Sequence, residues 1–201
     1  MAKLRKANSY RRIERPYTRI SKYRKLAYVR TRPHMVIIKF DTGNTAKQLE
    51  TFKYNIELNS TKNLQIRHNA FEAARVASTR ALEKTIGKSG FHLKIKTFPH
   101  HILRENALAS GAGADRVSQG MSRAFGKLVG TAAQIRIGQT IIVVGVDTLA
   151  HTLVAKDALH KAACKFPCSC KIVIKEVPVA VVKKAKGPSR TAPTPVAQQS
   201  A

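Results

Sequence analysis

The sequence is poor in acidic residues, in cysteine and in long apolar runs. Only 11 Asp and Glu residues stand against 37 Lys and Arg residues, which gives a formal net charge of +26. This excess is far more than solubility requires, and it is costly in self-repulsion unless a polyanion neutralises it. Nucleic acid is therefore the expected partner.

No apolar run reaches the 18 residues that a membrane-spanning helix needs, and the longest, residues 141–146, has the length of a buried strand. We therefore expect no membrane partner. The first residues carry no apolar core of a signal peptide. There are three cysteines, which is an odd number, and they cluster near the C-terminal end. Both features favour a reducing, cytoplasmic location.

The three cysteines, Cys164, Cys168 and Cys170, lie close to His160. Thiolate and imidazole groups suit zinc, so a metal cluster is one interpretation of this segment. The spacing C-x3-C-x-C is not a usual zinc pattern, however, and no second half-site accompanies it. We predict no metal and no cofactor, with packing of small thiols as the simpler interpretation.

Residues 1–33 form a basic arm. They contain twelve Lys or Arg residues and one acid, Glu14, with Tyr10, Tyr17, Tyr23 and Tyr28 interleaved. Because no apolar periodicity is present, the arm alone should be poorly ordered. On RNA, guanidinium groups pair with phosphates and tyrosine rings stack on bases or on arginine. We predict an RNA-binding arm; a solvated tail or a localisation signal is the alternative.

Hydrophobic periodicity predicts the regular elements that follow. Strands are expected at residues 34–40, 52–59, 91–97, 130–137, 139–146 and 171–177, and helices at residues 69–86 and 149–164.

Turns and exposed faces can also be predicted for these elements. Residues 41–44 have the composition of a turn, and Gly138 is expected to join two strands as a hairpin. In the first helix, Ala70, Ala74, Ala77 and Ala81 predict a buried stripe of small residues. In the strand at 91–97, the basic residues are expected to face outward. The composition beyond Val182 predicts a disordered tail.

Over residues 100–116 the chain is predicted to leave a strand-like segment, cross a loop of small and basic residues and enter a short helix, with Asp115 as N-cap and Gly126 at its end. The loop has too little apolar bulk to pack against itself. A long loop inside a compact domain is more often functional than idle, and this one suits a polyanion.

Nucleotide-binding motifs are matched only in part. Gly87-Lys88-Ser89 resembles the end of a phosphate-binding loop, but Leu82 stands where that motif requires glycine.

His100, His101 and Glu105 could supply acid–base chemistry, so an RNA-processing enzyme is an alternative. No nucleophile, carboxylate pair or metal set accompanies them, and we predict that the chain is not an enzyme. A DNA-compacting protein would explain the charge but not the loop.

Many short motifs occur in one order along the chain: Pro16-Tyr17-Thr18-Arg19, Ala73-Ala74-Arg75, Glu83-Lys84-Thr85-Ile86-Gly87-Lys88-Ser89-Gly90, Pro99-His100-His101, Arg104-Glu105-Asn106, Gly111-Ala112-Gly113-Ala114-Asp115-Arg116, Gly120-Met121, Arg123-Ala124-Phe125-Gly126-Lys127 and Gly130-Thr131. Together they resemble the large-subunit ribosomal protein ten of archaea and eukaryotes, the counterpart of bacterial large-subunit protein sixteen. The resemblance covers about residues 10–177. Leu128 stands where that family usually has proline, and the cysteines and the tail are outside its pattern.

The resemblance implies an α+β fold with about three helices packed on a mostly antiparallel sheet. Together with the composition, this divides the chain into the arm (1–33), one domain (34–177) with a functional loop (102–115), and a disordered tail (178–201). The resemblance also implies a structural constituent of the large ribosomal subunit, in the cytoplasm. The expected partners are ribosomal RNA below the central protuberance, the 5S RNA region, tRNA and neighbouring ribosomal proteins, without homo-oligomers.

The expected RNA contacts combine cationic, imidazole and tyrosine side chains: Arg11, Arg12, Arg15, Tyr17, Arg19, Lys22, Arg24, Lys25, Lys88, Lys94, Lys96, His100, His101, Arg104, Arg116, Arg123 and Lys127. The resemblance further implies a loop that faces tRNA and the peptidyl-transferase region, formed by Arg104, Glu105, Asn106, Ser110, Gly111 and Gly113.

Overall fold

The computed structural model describes residues 4–18, 22–26, 29, 31, 33–106 and 126–177. Its strands and helices, in chain order, are β1 (Asp41–Gly43), β2 (Tyr54–Ser60), β3 (Leu64–Arg67), α1 (His68–Thr85), β4 (Phe91–Ile95), β5 (His101–Glu105), β6 (Lys127–Ile135), β7 (Thr140–Val146), α2 (Leu149–Ala163) and β8 (Cys170–Glu176). Short 3-10 turns occur at Ala7–Tyr10, Arg24–Leu26 and Leu49–Thr51. Within these ranges, no helix has both the length and the hydropathy to cross a membrane.

The strands form two antiparallel sheets. The larger sheet has the order β1-β4-β7-β2-β8, and the smaller one has the order β3-β6-β5. The expected α+β class with antiparallel pairing is therefore confirmed. Two α-helices lie in the described residues. The third predicted helix falls at residues 115–125 and the predicted tail at 178–201, and both lie outside them.

The first helix begins and ends within one residue of its predicted limits. Its buried face includes Phe71, Ala74, Ser78 and Leu82, which recur at helical spacing, and Phe71 packs edge-on against Phe166 with ring centroids 5.5 Å apart. Of the predicted alanine stripe, only Ala74 is fully buried. The core face is therefore rotated toward the larger side chains, because these fill more of the space beneath the helix.

The strand predicted at residues 34–40 does not form. A strand forms instead just after this segment, at β1, in residues that were predicted to form a turn. Thr42 of β1 pairs with Leu93 of β4. Ile37 is nevertheless fully buried in the core. The segment has other partners, because the Val36 amide donates to His68 Nδ1 at 3.2 Å and the Phe40 carbonyl accepts from Ile95 at 2.9 Å.

The prediction of a hairpin around Gly138 is also wrong. The chain does turn at Gly138, with φ +77°, but β6 pairs with β3 and β5, whereas β7 pairs with β2 and β4. The Gly138 amide donates to the Ser60 carbonyl at 2.8 Å. The turn is thus held against the end of β2, and it carries the chain from one sheet to the other.

Two further strands, β3 and β5, were not predicted. The second occupies the start of the segment that was predicted as a loop from residue 102. The predicted loop therefore cannot begin before the end of β5 at Glu105. Most of it, from residue 107 onward, lies outside the described residues. Arg104, expected beyond the end of a strand, lies within β5.

Replacing Gly43 with alanine should destabilise the fold strongly. Gly43 has φ +89°, which costs an L-residue about 1–2 kcal/mol, and an added Cβ would lie 2.3 Å from the Phe91 carbonyl oxygen. That overlap adds about 1–3 kcal/mol. Gly87→Ala is the matched control, because Gly87 has φ +81° but no atom within 4 Å of an added Cβ. Denaturant titration of both variants tests this, and equal losses of unfolding free energy would contradict it.

Candidate nucleic-acid interface

The three-stranded sheet is covered on both faces. Side chains alternate along its strands, so Ile66 and Ala133 join the core, whereas Gln65, Arg67 and Gln134 belong to the opposite face. Residues 4–18 of the arm lie across that opposite face. The arm that was expected to be poorly ordered by itself is therefore docked on the domain.

Main-chain groups of the arm supply most of the anchoring hydrogen bonds. At one edge of the sheet, the Gln65 amide donates to the Arg11 carbonyl at 3.2 Å, and the Gln65 side chain donates to the Arg12 carbonyl. At the other edge, the Ile102 amide donates to the Tyr17 carbonyl at 3.3 Å. The arm thereby satisfies main-chain groups on both outer strands, which would otherwise be unpaired edges.

Side chains of β3 and β6 anchor the arm between these edges. The Gln134 amide group donates to the Glu14 carbonyl at 2.6 Å, and the Arg67 guanidinium donates to the Arg5 carbonyl at 2.6 Å. None of Gln65, Arg67 and Gln134 was predicted as a site residue. In the sequence these three residues appear only as polar residues of short strand segments. That pattern does not indicate which part of the chain covers them.

Glu105 connects the end of β5 to the arm through a buried carboxylate. It is 7% exposed, accepts from the Tyr10 hydroxyl at 2.6 Å and pairs with Arg5 Nε at 2.9 Å. Burial, together with the hydrogen bond to Glu105, raises the pKa of Tyr10 to about 12. The phenol therefore remains a proton donor at neutral pH. Charge-assisted hydrogen bonds of this kind are among the stronger ones in proteins.

His101 is a second anchor. Its ring is buried, and Nδ1 accepts from the Tyr17 amide at 2.8 Å. Burial, reinforced by neighbouring His100 and Arg104, lowers the pKa of His101 to about 4. The neutral ring thus serves as an acceptor. His101 and Glu105 are engaged in holding the arm, so of the three groups proposed for acid–base catalysis only His100 lies outside this contact.

Arg104 lies over the ring of Tyr17, with its guanidinium carbon 3.8 Å from the ring centroid. This cation–π contact stands beside a groove of about 620 Å³ between the arm and β5. The groove lining includes Glu14 and Arg15. Arg104 and Tyr17 are both partly exposed, so the planar pair is accessible from this groove.

The other predicted cations of this region remain at the surface. The side chains of Arg11, Arg12, Arg15, Lys22, Lys25 and Lys127 are exposed. His100 is exposed as well, with Nδ1 3.2 Å from the Phe98 carbonyl oxygen, and Asn106 is half-buried at the end of β5. Arg24 lies in a 3-10 turn. The structure thus brings the exposed arginines of the arm and the partly exposed Arg104 of β5 together at the small sheet.

Lys88, Lys94 and Lys96 lie elsewhere, in or next to β4 of the large sheet. The basic outer face predicted for that strand is only partly present. His92 is buried, with Nε2 3.3 Å from Asp41 Oδ1, and Lys94 Nζ is 3.4 Å from the same oxygen. Strand β1 supplies this carboxylate because it pairs alongside β4. Lys88 and Lys96 are exposed.

Six predicted site residues lie outside the described residues: Arg19, Ser110, Gly111, Gly113, Arg116 and Arg123.

Comparison with known proteins identifies one family. The family model described as "Ribosomal protein L16p/L10e" matches residues 16–173. Similar curated proteins are named "Large ribosomal subunit protein uL16". One from Methanococcus maripaludis is 41% identical over 171 residues, covering 85% of this chain and 94% of that protein. One from Archaeoglobus fulgidus is 44% identical over 170 residues, covering 85% and 92%. These names describe ribosomal proteins and not enzymes, in agreement with the sequence prediction.

The stability of the fold should depend on His101 between about pH 6.5 and about pH 4. The unfolded chain takes up this proton near the ordinary histidine pKa of 6.5, but the folded chain does so only near 4. The stability contributed by His101 is therefore complete above about pH 6.5 and is lost as the pH falls toward 4. The expected loss is on the order of 2–3 kcal/mol.

Urea unfolding of the parent and two variants across this range measures the effect. His101→Gln keeps a carbonyl that can accept from the Tyr17 amide but removes the titrating ring. As the pH falls, its free energy of unfolding should therefore decrease less than that of the parent. His160→Gln, at an exposed histidine on α2 that does not act on His101, should follow the parent. The same pH profile in His101→Gln as in the parent would contradict the assignment.

Proposed function

Because this chain belongs to the ribosomal protein L16p/L10e family and is a structural constituent of the large ribosomal subunit in the cytoplasm, we propose that it binds ribosomal RNA through its docked arm and the adjoining strand β5. The observation that carries the proposal is a division of roles within the arm. Carbonyl groups of residues 5–17 hold the sheet, while the guanidinium groups of Arg11, Arg12 and Arg15 are exposed.

This division suits phosphate binding. A cation on a fixed main chain loses less conformational freedom on binding than one on an unstructured tail. Contacts to phosphates position a protein on RNA without reading its sequence, and a row of arginines at known spacing can do this. The net charge of +26 is compensated in such a complex by the RNA.

Arg104 and Tyr17 add a second type of contact. Proteins recognise unpaired RNA bases by stacking them on aromatic rings or on guanidinium planes. The groove beside this pair is bounded by both the arm and β5, so an RNA nucleotide bound there would contact the two elements together. We assign the proposed base contact to this groove and the phosphate contacts to the arginines of the arm.

The finer location follows the family resemblance. We propose that the protein lies on RNA below the central protuberance, near the 5S RNA region, and that residues after Glu105 extend toward tRNA and the peptidyl-transferase region. The anchoring of Glu105 by Tyr10 and Arg5 supports this, because it gives the segment a fixed starting point. The proposed division of the chain is a basic arm up to residue 33, one domain to residue 177 and a tail.

Replacing Arg11, Arg12 and Arg15 together with glutamine should weaken RNA binding and flatten its salt dependence. If each arginine neutralises one phosphate, the slope of log affinity against log salt becomes shallower by roughly 2–3. Filter binding of the full chain to large-subunit ribosomal RNA at several salt concentrations measures this. Stability should change little, because the docking bonds use main-chain carbonyls.

The matched control replaces Lys156, Lys161 and Lys165, three exposed cations on or just after α2, with glutamine. It removes the same net charge at a different surface. Equal changes of slope in the two triple variants would show that only total charge matters and would reject the arm as the RNA-binding element.

Replacing Arg104 with serine should impair ribosome function more than folding. The stack on Tyr17 makes Arg104 more than a solvated charge, so a loss of about 0.5–2 kcal/mol in unfolding free energy is expected. Subunits carrying the variant should sediment normally but translate slowly. Arg104→Lys keeps the charge and loses the planar group, so it should restore activity only in part. Parental translation activity with Arg104→Ser would disprove a functional contact.

A further inference from the structure

Two cysteines lie in contact where the chain passes from α2 to β8. The sulfur atoms of Cys168 and Cys170 are 3.8 Å apart, and Cys170 Sγ is also 3.8 Å from the Cys168 carbonyl oxygen. Both residues are partly buried, whereas the third cysteine, Cys164, is exposed. The chain bends at Cys168, which directs both side chains of this i, i+2 pair to one side. The two sulfurs are in van der Waals contact and would have to approach by about 1.8 Å to form a disulfide bond.

The surroundings distinguish the two thiols. Cys168 Sγ lies 3.9 Å from the Ser60 hydroxyl, and the cations of Lys62 and Arg11 act on it as well. The hydrogen bond from Cys170, followed by that from Ser60 and these charges, lowers the pKa of Cys168 to about 7. The pKa of Cys170 is raised, because it donates this hydrogen bond and is buried. Cys168 is thus the thiol that ionises more easily and can act as the nucleophile, whereas Cys170 remains protonated.

Simple packing of two thiols does not require the polar neighbours of Cys168, which are the Ser60 hydroxyl at 3.9 Å and the cations of Lys62 and Arg11. A metal site is less well supported, since no group of three or more His, Cys, Asp or Glu suited to a metal ion occurs among the described residues. The contact between the sulfurs and the polar environment of Cys168 match the arrangement of a reactive dithiol, in which one sulfur attacks and the other resolves.

We propose that Cys168 and Cys170 form a modification site that undergoes thiol–disulfide exchange with small disulfides such as oxidised glutathione. The Cys168 thiolate attacks one glutathione sulfur, the glutathione S–S bond breaks, and one glutathione thiolate leaves. Cys170 then loses its proton to solvent and attacks Cys168 Sγ, so the second glutathione thiolate leaves. The two protein thiols are oxidised to a disulfide, and one glutathione disulfide is reduced to two thiols.

Mass spectrometry of the reduced full chain during exposure to oxidised glutathione at neutral pH tests the site. A thiol with a pKa near the ambient pH is half ionised, while an ordinary thiol is ionised by only a few per cent, although its thiolate is more nucleophilic. Cys168 should therefore react roughly three- to sixfold faster than exposed Cys164. Peptide mapping should then find an internal bond between Cys168 and Cys170, and glutathione retained only on Cys164.

The variants separate the two steps. Cys170→Ser should stop at a stable glutathione adduct on Cys168, and Cys164→Ser should form the internal bond as the parent does. Dithiothreitol should restore the starting mass. A Cys168 that reacts no faster than Cys164, or that keeps its glutathione in the parent chain, would overturn the proposal. Both comparisons are made within the parent chain, so they do not depend on a variant that folds.

Discussion

The position of the arm depends on a buried carboxylate. Glu105 is almost inaccessible to solvent, and a buried charge is strongly unfavourable unless it is paired and hydrogen-bonded. Both of its partners, Tyr10 and Arg5, come from the arm. If the arm left the sheet, Glu105 would lose both partners and the outer strands would lose hydrogen bonds from their edges. The fold of the small sheet and the docking of the arm therefore stabilise one another.

This coupling explains how so basic a segment can be ordered on a basic domain. Coulomb repulsion opposes docking, since most of the charge on both sides is positive. The arm is bound chiefly through carbonyl oxygens, which carry partial negative charge, and its cations stay in solvent, where their repulsion is screened. Docking in this manner costs little electrostatic energy and leaves the cations available to a polyanion.

The sequence predicts those elements whose apolar residues recur regularly or form one run. Both α-helices and strand β2 have their buried residues at helical or alternating spacing, and β7 is a run of aliphatic residues; the structure contains these elements, and the largely exposed β8, close to the predicted limits. Strand β5 was missed because the arm covers its second face, so His101, Ile102 and Leu103 are all buried and show no alternation. Strand β3 is short and carries polar side chains for the arm. Neither pattern can be recognised without knowing that a distant segment docks there.

The candidate site shows the same limit. The exposed arginines of the arm follow from composition alone, but the roles of His101 and Glu105 depend on partners that lie 84 and 95 residues away in the sequence. As isolated residues they match acid–base catalysis or RNA contact equally well. Once Tyr17 and Tyr10 are in place, both side chains are engaged in binding the arm. Because β5 carries these two anchors and leads directly into the segment after Glu105, a force applied to the arm by bound RNA would be transmitted to the base of that segment.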